Sequence, residues 1–285
     1  MDAVVLAELK ARALNVRCDI VRMLGVARTR HMASSLSAAD ILVWLYGSVL
    51  SVRPSEPLWE ERDRFVLSKA SASPALYAAL AERGFFDRDD LWGYRRLGST
   101  LQAFADSRRT PGVDVSCGAM GIGPGISLGL ALTFRNRTPQ PRVFCLMGIR
   151  ELQEGSVWEA LIASARHRLS NLTVIVDKSD FRSMSESPNV WVLDSLAEKF
   201  NSFGWAAACA DGHDMQSLNS AFESLPDDCP RLLIAKTVRG KGIPSLERET
   251  PTDEVALDSQ TTDDLLKELE GRNDGGTEKK FGRGI

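Results

Sequence analysis

Apolar positions recur at steps of three and four near the start of the chain. Leu6, Leu9, Ala13, Val16, Ile20 and Leu24 share one face and predict a first helix. Ser37, with its short hydroxyl side chain, is placed to cap a second helix over Ala38 to Leu50. Ala75 to Arg83 predicts a third, stopped by Gly84. Further on the pattern changes to short, wholly apolar runs. Val143 to Met147 ends at Gly148, Leu172 to Val176 ends at Asp177, and Leu232 to Ala235 ends at Lys236. Helical patterns at Ile126 to Arg135, Ser156 to His167, Leu193 to Phe203 and Met215 to Leu225 are interspersed with these runs. Buried runs alternating with helices predict an α/β fold, a mostly parallel sheet covered by helices on both faces. Ligands in such sheets sit beyond the carboxyl ends of the strands, so the loops starting at Gly148, Asp177 and Lys236 are where chemistry is expected. Thr262 to Glu270 predicts a last helix. Residues 1–270 are expected to form a single domain, and the polar, Gly-rich stretch 271–285 a disordered tail.

Composition narrows the possibilities. A net charge of −3 gives no electrostatic case for a nucleic-acid partner. No apolar run reaches the roughly 20 residues of a membrane helix, and Asp2, Glu8 and Lys10 interrupt any apolar leader. A cytoplasmic protein without membrane contact is expected. Cys18, Cys117, Cys145, Cys209 and Cys229 show neither zinc-ligand nor CxxC spacing and are expected to be buried, reduced thiols.

Gly118, Gly121, Gly123 and Gly125 precede the helical stretch from Ile126. Such glycines permit a tight turn, or close approach of a ligand or another backbone, and a helix N-terminus favours an anion. Around them stand Arg62-Asp63-Arg64-Phe65-Val66-Leu67-Ser68-Lys69, Glu151-Leu152-Gln153-Glu154-Gly155, Asn171 to Asp177, Gly212-His213-Asp214 and Lys236-Thr237-Val238-Arg239-Gly240-Lys241-Gly242. In this order and spacing the chain, over about residues 6 to 247, resembles the thiamine-diphosphate domain of transketolases. It resembles in particular the N-terminal subunits of split bacterial transketolases.

The resemblance implies a cofactor site that this sequence departs from. The family's strand continues as Gly-Asp-Gly, whose aspartate binds magnesium; here Ile149 and Arg150 follow Gly148. The family's Asp-x-Asn turn supplies a second ligand and a backbone carbonyl two residues on a third; here Ser179 follows Lys178, and Phe181 stands at the carbonyl position. Magnesium demands near-octahedral oxygen ligands, so these replacements oppose a metal. No metal is expected. Thiamine diphosphate and magnesium are expected only if the changes are tolerated. Ser68-Lys69-Ala70-Ser71 and Gln102-Ala103-Phe104-Ala105 replace segments that carry histidines in the family, and the family's Trp-His has no counterpart around Ile243 to Pro251. The glycine pocket is kept, with Ile122 at its glutamine and Met120 at its leucine position. His31 alone survives from a Gly-His-Pro-Gly turn, now Arg30-His31-Met32-Ala33, and is the weak candidate for contact with substrate or phosphate. Glu154 occupies a position that in the family is concerned with communication between subunits, and the resemblance implies an interface role for it.

Other residues have ordinary readings. His167 is a solvated helix end, His213 a turn residue, and Trp158 and Trp191 are core or interface aromatics. Arg150, Lys178 and Arg182 are either solvated surface charges or parts of an anion site reached by the backbone N–H groups of Gly121 and Gly123. The resemblance implies three functions. The first is a transketolase-like N-terminal subunit working in a heterodimer or heterotetramer with a C-terminal-half partner, its cofactor site degenerate or repurposed. The second is a metal-independent enzyme holding a phosphate-containing ligand through Arg150 and Lys178. The third is an active two-component transketolase moving a two-carbon ketol unit. In each case the partner half is expected to supply the glutamate that activates the cofactor.

Overall fold

A computed structural model describes residues 1–29, 31–179, 195–248 and 257–271. Five strands form one parallel sheet: β1 (Arg64–Leu67), β2 (Val143–Gly148), β3 (Leu172–Ser179), β4 (Ala206–Asp211) and β5 (Arg231–Thr237), in the order β1-β2-β3-β5-β4. Nine helices are described. On one face of the sheet lie α1 (Ala3–Ala27), α2 (Met32–Trp44), α3 (Ser73–Arg83), α7 (Met215–Glu223) and α9 (Ser259–Gly271). On the other lie α4 (Ile122–Phe134), α5 (Gly155–Arg166) and α6 (Leu196–Ser202). A short α8 (Pro244–Arg248) comes after the loop that leaves β5. Side chains alternate across each strand: Phe144, Leu146 and Ile175 enter the core under α2, whereas Val143, Cys145, Val174 and Val176 enter the core under α4 and α5. Both faces being covered explains why the central strands read as unbroken apolar runs.

The predicted α/β architecture holds, with local corrections. The second helix starts at Met32, not Ala38, and is succeeded by a π turn over Leu45–Val49. Every residue of α2 is buried, so no amphipathic period marks its ends. Ser37 lies inside α2 and donates to Asp177 Oδ2 at 2.9 Å rather than capping a helix. Two strands were not predicted. β1 has only four residues, and β4 is a half-exposed edge strand of Ala-Ala-Ala-Cys-Ala-Asp, poor in β-branched residues. The stretch 32–49 is long and apolar enough to cross a membrane, but 83% of it is buried inside the fold, as the core helix of an α/β domain is. Cys18, Cys117 and Cys145 are buried as expected, whereas Cys209 is exposed on edge strand β4 and Cys229 is half-buried. Arg30, Phe181, Arg182, Trp191 and the tail beyond Gly271 lie outside the described residues.

Candidate functional site

A cleft of about 300 Å³ opens at the carboxyl ends of β1, β2 and β3, where the doubly covered sheet predicts a ligand. Gly148 is paired with Asp177 in the sheet, so the two loops expected to carry chemistry leave it side by side. The cleft receives Ser68 and Lys69 after β1, Gly148, Ile149, Arg150 and Glu151 after β2, Asp177 and Ser179 from β3, and Arg239 after β5. His31, Phe104, Gly118 and Met120 complete its mouth.

Two closed polar networks form the floor. The first centres on Asp177, which is fully buried. The Lys69 ammonium donates to Asp177 Oδ2 at 2.6 Å, to the Ser34 carbonyl at 2.9 Å and to Ser37 Oγ at 2.9 Å. Ser37 and Thr237 hydroxyls also donate to this carboxylate. Burial pushes the Asp177 carboxyl up, but the Lys69 charge and the three donors outweigh it and hold it below the ordinary range. All three ammonium protons are spent within the protein.

The second network centres on Glu151, in the 3₁₀ turn Ile149–Gln153. Glu151 Oε1 accepts from Gly148 N–H at 2.8 Å. Its Oε2 accepts from Gly121 N–H at 3.0 Å and from the Ser68 hydroxyl, while Ser68 Oγ accepts from Gly123 N–H at 3.2 Å. Burial raises the Glu151 carboxyl above its ordinary value despite these donors. The glycines thus serve close packing of the chain on itself. Gly121 has φ +73°, and a Cβ there would meet Glu154 Cβ at 2.8 Å. A Cβ on Gly123 would come within 2.3 Å of Ser68 Cβ and 2.9 Å of its Cα. The expectation that Gly121 and Gly123 present backbone N–H groups to an anion is corrected: both are donated to Ser68 and Glu151.

The remaining predicted residues divide. His31 takes φ +79° at the start of α2 and lines the cleft; the neighbouring Ala33 carbonyl accepts from Gly240 N–H at 3.1 Å, tying this turn to the loop bearing Arg239. Ile149 is 6% exposed and brings an apolar side chain to the end of β2. Ser179 is buried and lines the cleft. Arg150 is exposed and lines it too, but Lys178 does not. Asp177 faces α2, so alternation along β3 directs Lys178 to the opposite face, and Arg150 and Lys178 do not converge. Glu154 stands half-buried at the start of α5 against Gly121. Trp158 is half-buried on Phe200 and Phe203, and His167 is the exposed end of α5. His213 is more than a turn residue. Its Nε2 accepts from Val238 N–H at 2.8 Å, which leaves the proton on Nδ1 for Asp40 at 2.7 Å, and Asp40 also pairs with buried Arg17. Burial raises the Asp40 carboxyl, but Arg17 and His213 together hold it below its ordinary value.

Sequence reasoning missed Ser68, Glu151 and Arg239 as parts of the site. Each stands inside a motif visible in the sequence; the signal for Glu151 is an acid three residues beyond a buried strand end. Among the described residues, no group of three His, Cys, Asp or Glu side chains is arranged to hold a metal.

Known proteins resemble this chain over most of its length. Residues 10–274 match the family described as transketolase, thiamine diphosphate binding domain. A transketolase family protein of Sinorhizobium fredii is 35% identical, over 84% of this chain and 87% of that one. The 6-deoxy-6-sulfo-D-fructose transketolase subunit SqwG of Clostridium sp. is 31% identical, over 92% of this chain and 96% of its own length. Human transketolase is 32% identical over 93% of this chain, but the match spans only 42% of the human protein. The transketolase structure from Campylobacter jejuni superposes with a TM-score of 0.81 at 28% identity, covering 95% of this chain and 43% of that one. The chain belongs to the transketolase family, through that family's thiamine diphosphate binding domain.

Proposed function

We propose that this chain is a transketolase-like N-terminal subunit that works in the cytoplasm with a C-terminal-half partner, and that its site no longer takes magnesium-bound thiamine diphosphate in the usual way. The observation that carries the reading is the end of β2. There the aspartate position is the buried, apolar Ile149, which offers no oxygen to a cation. Two further facts agree. At the second ligand position Ser179 supplies only a hydroxyl, and the N–H groups of Gly121, Gly123 and Gly148 are already donated within the protein. The residues present do not fit the metal. The partner is supported by α4, which carries no charged residue and leaves Ile122 exposed and Ile126 and Leu130 partly so. Extent supports it as well, because SqwG, matched over nearly its whole length, is named a subunit.

Titration calorimetry tests the reading on the chain co-expressed with a C-terminal-half transketolase protein of the same genome. The expected result is a stable complex by light scattering and no micromolar binding of thiamine diphosphate with magnesium. Micromolar binding that a chelator abolishes would overturn the altered site and restore an active two-component transketolase. A monomer indifferent to the partner would overturn the subunit assignment.

A further inference from the structure

The cleft is lined by two unlike kinds of side chain. Phe104 is 47% and Met120 52% exposed at its mouth, and Ile149 extends this apolar surface to the end of β2. Large apolar side chains gathered in a concave site, instead of scattered singly over a surface, mark a place where an apolar body is covered. Arg150 and Arg239 line the same cleft. The other charges cannot serve a ligand in the same way. Lys69 and Asp177 are spent on each other, and Glu151 is occupied by two backbone N–H groups and Ser68. An arginine carries five N–H donors in a fixed fork, which matches a planar or tetrahedral oxyanion.

The floor also constrains the ligand. A diphosphate needs several donors along its length, and the nearby backbone donors at Gly121, Gly123 and Gly148 are already used. A single oxyanion head needs only the arginines. At about 300 Å³ the cleft is at the small end of ligand pockets. Building on the reading of an altered site, we propose that the cleft binds a small organic anion without metal, its apolar or aromatic body against Phe104, Met120 and Ile149 and its one carboxylate, sulfonate or phosphate head on Arg150 and Arg239.

Phenyl phosphate, inorganic phosphate, and thiamine diphosphate with magnesium are the probes, titrated by calorimetry into the full chain with and without EDTA. Phenyl phosphate is expected to bind at least about tenfold more tightly than inorganic phosphate, because only it covers the apolar side chains. EDTA should leave its affinity unchanged. Arg150→Gln and Phe104→Ser change exposed side chains, so both variants should keep the wild-type circular dichroism and melting temperature. Each is expected to weaken phenyl phosphate about tenfold or more. Benzoate and benzenesulfonate distinguish the head groups, and binding of any one of the three aryl anions on these terms supports the site. Equal affinity for phenyl and inorganic phosphate, indifference to both substitutions, or no binding of any aryl anion at millimolar concentration overturns the proposal. Magnesium-dependent binding of thiamine diphosphate would instead refute the reading beneath it.

Discussion

Replacing Lys69 with methionine removes one charge while keeping most of the side chain's length. The ammonium donates three hydrogen bonds, to Asp177 Oδ2 at 2.6 Å and to the Ser34 carbonyl and Ser37 Oγ at 2.9 Å each. Without it Asp177 remains fully buried, helped only by the Ser37 and Thr237 hydroxyls. Breaking a buried ion pair by removing one partner costs about 3–5 kcal/mol, so Lys69→Met should lower the unfolding free energy by that amount, seen as a lower urea midpoint with the slope unchanged. The double variant Lys69→Met/Asp177→Asn should recover a large part of the loss, since no uncompensated charge remains. The pH dependence has a definite sign. In the wild type the depressed Asp177 carboxyl contributes stability that is fully present above its unfolded value of about 3.9 and is lost as pH falls through the lower folded value. In the variant burial is no longer outweighed, so the folded carboxyl rises above the unfolded value and its penalty fades on acidification. The deficit of Lys69→Met should therefore be largest near neutrality and shrink toward acid pH. A deficit below about 1 kcal/mol, or one that grows on acidification, would refute the account of this network.

Two other perturbations probe the scaffold. Gly123→Ala places a Cβ 2.3 Å from Ser68 Cβ and 2.9 Å from its Cα, which no rotamer change relieves; it should cost about 1–3 kcal/mol in thermal melts. Gly125→Ala, two residues on in the same helix, meets nothing within 4 Å and should be neutral or stabilising by up to about 1 kcal/mol; equal effects at both positions would contradict the packing described. His213→Ala removes the acceptor of Val238 N–H and a partner of Asp40, so hydrogen exchange should accelerate at Val238 and Gly240 while β3 stays protected. Unchanged exchange in that loop would show that His213 does not anchor it.

Legibility in the sequence tracks the physics of each element. The central strands β2, β3 and β5 are visible because burial on both faces leaves them wholly apolar over most of their length. The edge strand β4 is not, because exposure and a run of alanines remove that signature. Helix α1 shows its period because its first half is buried through one face alone, at Leu9 and Ala13, whereas α2 hides its boundaries because every side chain is buried. The position of the cleft is legible from topology alone. Its chemistry is only partly so. Adjacency of Gly148 and Asp177 comes from parallel pairing, but the direction of Lys178 depends on strand parity, and β3 continues past Asp177 to Ser179. That extension keeps Lys178 in the pleat and turns it away from Arg150. The tie between His213 and Asp40 spans 173 residues of sequence, and no local pattern encodes it.

The glycine-rich segment bears on how such a site should be interpreted. Gly121 and Gly123 look like a ligand cradle in sequence, yet their immediate neighbours are Glu154 and Ser68 of the same chain. Their N–H groups close a ring with Ser68, Glu151 and Gly148 that fastens the start of α4 to the ends of β1 and β2. This ring makes demands of its own. A side chain at Gly123 strikes backbone, and loss of Ser68 or Glu151 strands buried donors, each costing about 1–3 kcal/mol. These residues therefore stabilise the fold whether or not anything binds above them, and their presence is no argument for a bound diphosphate. Ile149, Phe104 and Met120 stand outside the hydrogen-bonded ring and face the cleft. Substitutions of the exposed Phe104 and Met120 leave the ring's partners in place and change what lines the cleft. The side chains that line the cleft, not the glycines on its floor, therefore carry the information about what binds.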